Sequence, residues 1–119
     1  MNRLSFVSDS TFDAERLRRQ LAGLLDVRFI ELADIHRSKP GRFTVVSADL
    51  SKPSHLLDLK EWMKSRPKGG KVIFAIQPGS RIETTQAYAL GATDVVSSPI
   101  DAKELIQKIW SDVGTSFSM

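Results

Sequence analysis

The chain contains, at residues 91–105, the sequence GATDVVSSPIDAKEL. Gly91 is of the residue type that most often ends a helix, because glycine takes the left-handed backbone conformation at little cost. The apolar residues that follow predict a short strand over residues 94–97. Asp101 is placed to cap a new helix, whose Leu105 faces inward. The stretch therefore predicts the end of one helix, a strand and a further helix in succession.

The same alternation extends toward the N-terminus. Apolar segments predict strands over residues 4–7, 27–30, 43–48 and 71–76, with the second near a sheet edge and the last central. Apolar residues spaced by three and four predict helices between them, and the first of these helices buries Ala14, Leu17, Leu21 and Leu24. Residues 32–40 are weakly helical at best. Five strands with about five helices predict an α/β fold, with a doubly wound five-stranded parallel sheet and helices on both faces.

The composition limits the class of protein. A chain of 119 residues fits one domain, and we assign residues 1–113 to it and residues 114–119 to the start of a linker or disordered tail. The absence of cysteine excludes disulfides and thiol catalysis and suits the cytoplasm. No apolar run reaches the roughly 20 residues of a membrane helix, so no membrane contact is expected. The net charge of +3 comes from dispersed basic residues, which argues against nucleic acid as a partner.

Two segments resemble the receiver domain of bacterial response regulators, the CheY-like domain of two-component signalling and phosphorelays. Residues 91–105 resemble the end of that domain, where Gly-Ala, a short strand, a lysine-proline pair and a helix follow one another. Residues 48–53, Ala-Asp-Leu-Ser-Lys-Pro, resemble its phosphoacceptor loop, with Asp49 at the end of the third strand. The resemblance extends from Leu4 to about Val113 and implies the flavodoxin-like receiver topology.

The resemblance also implies a site for phosphoryl transfer, and this chain departs from it. The family uses paired acidic residues for Mg²⁺, an aspartate that accepts the phosphoryl group, a hydroxyl residue, a lysine and an aromatic switch residue. The matching positions of the vestigial site are Ser8, Asp9, Asp49, Ile76 and Ser98. One carboxylate of the pair and the phosphoacceptor position are retained. The hydroxyl and the lysine are lost, and Val95 replaces the aromatic residue. Cations offset the charge that develops when a carboxylate attacks an anion, so phosphoryl transfer is disfavoured here.

We therefore interpret the chain as a degenerate receiver, a pseudo-receiver, that is not an enzyme. It is predicted to act as a protein-interaction or dimerisation module for a signalling protein partner or a covalently linked output domain. A homodimer is a further expectation. The receiver family commonly uses the face formed by residues 80–113, and the candidate interface residues on it are Arg81, Glu83, Tyr88, Lys103 and Trp110.

Two alternatives remain open at this stage. In the first, the domain is still an active receiver that accepts a phosphoryl group at Asp49, with Mg²⁺ held weakly by Asp9 and Asp49. In the second, the crevice beside Asp49 binds a small anionic ligand or a nucleotide, as doubly wound sheets do at this edge. Structural roles are also open, since Asp49 or Asp9 could cap a helix and Trp62 could flank the core.

Receiver domains carry a cis peptide bond before the proline that follows the fifth strand. The resemblance therefore predicts a cis bond between Ser98 and Pro99. Such bonds are uncommon even before proline, so this prediction tests the resemblance more sharply than the general fold does.

Overall fold

The computed structural model describes the backbone of residues 3–117 and the side chains of residues 3–109. Within this range, five parallel strands form one sheet in the order β2-β1-β3-β4-β5. The strands are β1 (Arg3–Ser8), β2 (Asp26–Glu31), β3 (Phe43–Ser47), β4 (Lys71–Ile76) and β5 (Asp94–Ser97). The helices are α1 (Thr11–Gln20), α2 (Pro53–Met63), α3 (Arg81–Leu90) and α4 (Ala102–Phe117), with a 3₁₀ helix at Leu32–Arg37. The predicted doubly wound α/β fold is confirmed, with β2 at one edge and β4 in the interior.

Helices cover both faces of the sheet, and each face has its own core. Helices α1 and α4 pack on one face, where Phe6, Leu17 and Leu105 are buried. The 3₁₀ helix, α2 and α3 pack on the other face, where Phe74 and Ile35 are buried. Because β4 is covered on both sides, its side chains from Val72 to Ile76 are all buried. None of the helices in the described range is long and apolar enough to cross a bilayer.

Local signals in the sequence set the ends of the helices. Ser10 caps α1, and its side chain accepts a hydrogen bond from the backbone N–H of Asp13. Ser80 caps α3 in the same way, accepting from the N–H of Glu83. Gly91 ends α3 with a φ of 112°, in the left-handed region. These contacts fix the positions of α1 and α3 relative to the carboxyl ends of β1 and β4.

The prediction that Leu24 lies on the buried face of the first helix is wrong. Helix α1 ends at Gln20, and the side chain of Leu24 is 58% exposed. The chain turns away at Gly23, which has a φ of 83°, so the helical spacing no longer applies beyond Leu21. Leu25 is buried in place of Leu24.

The last helix is longer than predicted. We expected a linker or disordered tail from residue 114, but α4 continues through Phe117. Gly114 lies inside this helix, and a single internal glycine costs only about 1 kcal/mol, which does not end a helix without a proline or a capping residue beside it. The remaining two residues of the predicted tail, and the side chains of Trp110 and Val113, lie outside the described residues.

Trp62 occupies the place expected for it beside the core. Its side chain is buried, and its indole Nε1 donates a hydrogen bond to the carbonyl oxygen of Ser38 over 2.9 Å. This bond joins the end of α2 to the segment that follows the 3₁₀ helix. The interpretation of Trp62 as a core-flanking residue, rather than a partner anchor, is confirmed.

Candidate functional site

The carboxyl ends of the strands meet at one edge of the sheet and form an open cleft of about 580 Å³. Ligands of doubly wound sheets bind at this edge. Of the predicted site residues, the structure brings together Asp9, Asp49, Ile76 and Ser98 around this cleft. The vestigial site predicted from the sequence is therefore one contiguous surface, apart from Ser8.

Asp49 lies on the exposed loop that follows β3. Its Oδ1 accepts two hydrogen bonds from Ser51, one from the hydroxyl at 2.6 Å and one from the backbone N–H at 3.0 Å. These bonds form a local turn of the kind that aspartate stabilises before a helix. Asp49 does not cap α2, which begins after Lys52 without a side-chain cap. The capping interpretation of Asp49 is therefore wrong.

The same contacts control the protonation of Asp49. The hydroxyl of Ser51 lowers the pKa of the Asp49 carboxyl most, and the backbone N–H of Ser51 lowers it further. The charges of Lys52 and His55 act in the same direction with smaller effects. The carboxylate is consequently ionised at neutral pH.

Ser8 and Asp9 have separate roles. Ser8 is buried, and its Oγ accepts a hydrogen bond from the backbone N–H of Ser10, so it supports the turn before α1. Asp9 is exposed and lines the cleft. Because Ser10 is the cap of α1, the capping interpretation of Asp9 is wrong.

The donor set fits Mg²⁺ poorly. Magnesium requires near-octahedral oxygen ligands and is usually held by one or two carboxylates together with waters and phosphate oxygens. Here Asp9 and Asp49 are the carboxylates that the family's site would supply, and one oxygen of Asp49 is already engaged by Ser51. Among residues 3–109, no group of three His, Cys, Asp or Glu side chains is arranged to hold a metal ion.

The resemblance assigns Ile76 to the position of the hydroxyl residue and Ser98 to the position of the lysine, and neither side chain carries a positive charge. Ile76 ends β4 with a buried side chain, and its carbonyl accepts a hydrogen bond from the N–H of Ser98 over 2.7 Å. Ser98 itself is exposed at the cleft. The bond between Ser98 and Pro99 is cis, as the resemblance predicted. The cis peptide bond that the resemblance predicts is therefore present, although the residue before the proline is serine and not the lysine of the family.

The cleft contains residues that the sequence analysis did not assign to it. Gln77 follows β4 directly, so the rule that placed Asp49 at a strand end could have found it. Gln86, Ile82 and Glu83 line the cleft from α3, and their inclusion depends on how α3 packs, which the sequence does not show. The ionisable side chains among the described lining residues are Asp9, Asp49 and Glu83, so all of them are acidic.

The predicted interface residues lie on the outer surface of α3 and at the start of α4. Arg81, Tyr88 and Lys103 are exposed, while Glu83 is half-buried at the cleft. Ile82, which the sequence analysis did not single out, is 74% exposed. The side chain of Trp110 lies outside the described residues.

Comparisons with known proteins point to one fold. No family model and no curated protein matched the chain. Among solved structures, the chemotaxis protein CheY4 of Vibrio cholerae is 21% identical, with a TM-score of 0.66 over 93% of this chain and 98% of that one. A pilus assembly protein, CpaE of Burkholderia thailandensis, is 16% identical, with a TM-score of 0.73 over 96% and 99% of the two chains. The response regulator DrrB of Thermotoga maritima is 17% identical, with a TM-score of 0.72 over 98% of this chain and 54% of the longer one.

These likenesses establish that the chain has the fold of response-regulator receiver domains, as the sequence resemblance predicted. The parallel sheet order and the cleft at its carboxyl edge are those of this fold. Asp9, Asp49 and Ser98, which the sequence resemblance predicts as site residues, all line this cleft.

Proposed function

We propose that the chain is a pseudo-receiver, a non-enzymatic domain that regulates a bacterial signalling protein in the cytoplasm by binding. The observation that carries the proposal is the charge of the cleft. Its described ionisable residues are Asp9, Asp49 and Glu83, and no Lys or Arg lines it among the described residues. A phosphoryl group on Asp49 would be an anion among carboxylates, without the cation that stabilises it elsewhere.

The same charge argues against the binding of a small anionic ligand or a nucleotide. Such ligands are held by cationic side chains or by backbone N–H groups at a helix N-terminus. The N-terminus of α3, whose cap Ser80 lines the cleft, is occupied by the side chain of Ser80 and carries Glu83, and the N-terminus of α2 follows a loop that carries the carboxylate of Asp49. The cleft therefore repels an anion.

One observation favours a second candidate, a degenerate but active receiver. Asp49 is exposed and lines the same cleft as Asp9, so a phosphoryl donor that enters the cleft would meet both carboxylates. In that case Asp9 and Asp49 would hold Mg²⁺ weakly. The missing lysine and hydroxyl make this the weaker of the two proposals.

The experiment that separates the two is an amide NMR titration with Mg²⁺ and then beryllofluoride, a mimic of the phosphoryl group. We expect no shifts at Asp49 or Ser98 beyond those of an Asp49→Asn control. A triple variant, Ser98→Lys with Ile76→Thr and Ser8→Asp, restores the lysine, the hydroxyl and the second carboxylate and should respond, which shows that the method detects binding. Shifts in the native chain that depend on Asp49 would overturn the pseudo-receiver proposal.

We place the partner surface on the outer face of α3. Tyr88 is 47% exposed and lies seven residues, about two turns, from the exposed Arg81, and an exposed aromatic side chain next to an arginine is typical of protein contacts. Arg81 on the same helix and Lys103 at the start of α4 supply a polar rim. The partner would be a signalling protein, a covalently linked output domain or a second copy. DrrB, whose chain is longer than the part matched here, is a response regulator in which a receiver fold occurs within a larger protein.

The homodimer form of this proposal is tested by sedimentation velocity. A Tyr88→Ser variant should lower self-association, whereas Leu57→Ser, an equally drastic change at a 67% exposed position on α2, should leave it unchanged. Equal effects of the two variants would move the contact surface away from α3.

A further inference from the structure

The charges of the chain are divided unevenly along the sequence. Residues 37–42 and 60–71 contain eight of the seventeen Lys and Arg residues but one of the fourteen Asp and Glu residues. The rest of the chain therefore contains nine basic and thirteen acidic residues. The net charge of +3 is therefore the sum of two strongly basic segments and an acidic remainder.

The two basic segments lie side by side at the amino ends of β3 and β4. The backbone N–H of Lys71 donates to the carbonyl of Arg42 over 2.7 Å, and the indole of Trp62 donates to the carbonyl of Ser38. Between them lies a groove of about 400 Å³, which we call the basic groove. Its lining residues are His36, Ser38, Lys39, Glu61, Trp62, Lys64 and Ser65.

Lys39 and Lys64 are the exposed cations of the basic groove. Lys64 lies 2.9 Å from Glu61, and this ion pair lowers the pKa of Glu61. The pair neutralises one charge inside the groove. Arg37, Arg42 and Lys68 are exposed on the same two segments, so the surroundings of the groove remain positive.

The acidic cleft lies at the opposite end of the sheet. All strands are parallel, so the amino ends of β3 and β4 and the carboxyl ends that form the cleft are separated by the length of the strands. A strand rises about 3.3 Å per residue, which places the two surfaces roughly 15 Å or more apart. The ionisable residues that line the cleft at one end of the sheet are acidic, whereas the segments around the groove at the other end contain more basic than acidic residues.

We infer that the basic groove of one copy binds the acidic cleft of a second copy, head to tail. The two surfaces are complementary in charge: Lys39 supplies the net positive charge of the groove, Lys64 shares its charge with Glu61, and Asp9 and Glu83 line the cleft. The exposed side chain of Ile82 at the rim of the cleft adds an apolar contact. The inference rests on the proposed binding function, because a cleft that held a phosphoryl group would not offer these carboxylates to a partner.

A head-to-tail contact has a consequence for assembly. Each copy in such a pair keeps one unused groove or cleft, so further copies can add in the same way. This assembly differs from a symmetric dimer through α3, in which the same face is used twice. It should also weaken in salt, because the Debye length falls from about 10 Å at 0.1 M to about 3 Å at 1 M.

A charge exchange tests the inference. One variant carries Asp9→Lys and Glu83→Lys in the cleft, and the other carries Lys39→Glu and Lys64→Glu in the groove. We expect the native chain to associate at low ionic strength in sedimentation velocity. Each variant alone should associate at least about tenfold more weakly, because like charges then face each other. An equimolar mixture pairs opposite charges at both kinds of contact and should restore association.

The controls separate this contact from other causes. A variant with Arg19→Glu and Arg28→Glu has the same change in net charge as the groove variant, on exposed positions of α1 and β2, and should associate like the native chain. Thermal unfolding shows whether each variant folds, and Lys39→Ser with Lys64→Ser replaces the groove variant if it does not.

Three outcomes would overturn the inference. The first is a native chain that stays monomeric at low salt, and the second is an equimolar mixture of the cleft and groove variants that fails to associate. The third is a native chain that does not self-associate but binds duplex DNA or anionic vesicles, with this binding lost in the groove variant. The last would assign the groove to a polyanion. A native chain that stays monomeric would also overturn the homodimer form of the partner proposal, but none of the three outcomes affects the pseudo-receiver proposal itself, which the beryllofluoride titration tests separately.

Discussion

The hydroxyl of Ser51 donates a hydrogen bond of 2.6 Å to Oδ1 of Asp49, and the backbone N–H of Ser51 donates a second to the same oxygen. The residue in the phosphoacceptor position is thus held by its own loop. An ionised carboxylate with one oxygen occupied, and with Ser98 in place of the lysine that the resemblance implies, is suited to a polar contact with a partner more than to attack on a phosphoryl group.

This relationship predicts the effect of Ser51→Ala on the titration of Asp49. The contacts with Ser51 are the largest causes of the lowered pKa, so their loss should raise the pKa of Asp49 toward its ordinary value of 3.8. NMR detection of the side-chain carboxyl carbon during a pH titration measures it. Ser54→Ala, at an exposed position on α2, is the control and should leave the pKa of Asp49 unchanged.

The sign of the pH dependence follows from the lowered pKa. Folding favours the ionised form of Asp49, so the stability it contributes is fully present above its unfolded-state pKa and is lost as the pH falls through the folded-state value. As the pH falls, the free energy of unfolding of the Ser51→Ala variant should therefore decrease less than that of the native chain. Equal acid-unfolding curves for the native and variant chains would contradict the assignment.

Much of the fold was predictable because each element carries a local signal. The strand over residues 71–76 is apolar throughout because both of its faces are covered, and Gly91 marked the end of α3. Leu24 was wrongly predicted to be buried because its spacing continued the helical pattern after the backbone had turned at Gly23. Spacing identifies a face only while the helix lasts, and helix ends are the least certain feature of a sequence pattern.

The site was predictable where its residues follow strands, and not where they come from helices. Asp9, Asp49 and Ser98 were identified from the resemblance to the receiver family, and they meet because parallel strands bring their carboxyl ends to one edge. Glu83 and Gln86 line the cleft only because of the rotation of α3, which is set by packing. The basic groove was missed for a similar reason, since its two segments are separated in sequence and meet through β3 and β4.

Thr93 closes the amino end of the pair formed by β4 and β5. Its Oγ1 accepts a hydrogen bond from the N–H of Val72 and donates one to the carbonyl of Val72, both at 2.9 Å. Thr93→Val keeps the shape and removes both bonds, so we expect a loss of about 1–2 kcal/mol in the free energy of unfolding. Urea denaturation measures it. Thr85→Val, at an exposed position on α3, should change stability by less than about 0.5 kcal/mol.

The hydrogen bond from Trp62 to the carbonyl of Ser38 should stabilise the contact between α2 and the segment after the 3₁₀ helix. Trp62→Phe keeps an aromatic ring in the core but removes the donor to the carbonyl of Ser38. We expect a loss of about 1–2 kcal/mol in the free energy of unfolding and faster amide hydrogen exchange near Ser38. A loss of stability with unchanged exchange around Ser38 would attribute the effect to packing alone.

Two features explain glycine at residue 91, a left-handed backbone conformation and the close approach of Arg66, and a pair of variants can separate them. Its φ of 112° is costly for any residue with a Cβ, and an added Cβ would lie 2.8 Å from Nη1 of Arg66, which donates to the carbonyl of Gly91. Gly23 has a similar positive φ of 83°, but nothing lies within 4 Å of an added Cβ there. We expect Gly23→Ala to cost about 1 kcal/mol from the backbone alone.

Gly91→Ala should cost more than Gly23→Ala, about 2 kcal/mol or above, because the guanidinium of Arg66 must also move. Thermal or urea unfolding of both variants gives the difference directly. If Arg66→Ala is added, the extra cost of Gly91→Ala should disappear, since the crowding is removed along with the hydrogen bond. Equal costs at the two glycines would show instead that Arg66 shifts freely and that the left-handed backbone is the whole reason for glycine at residue 91.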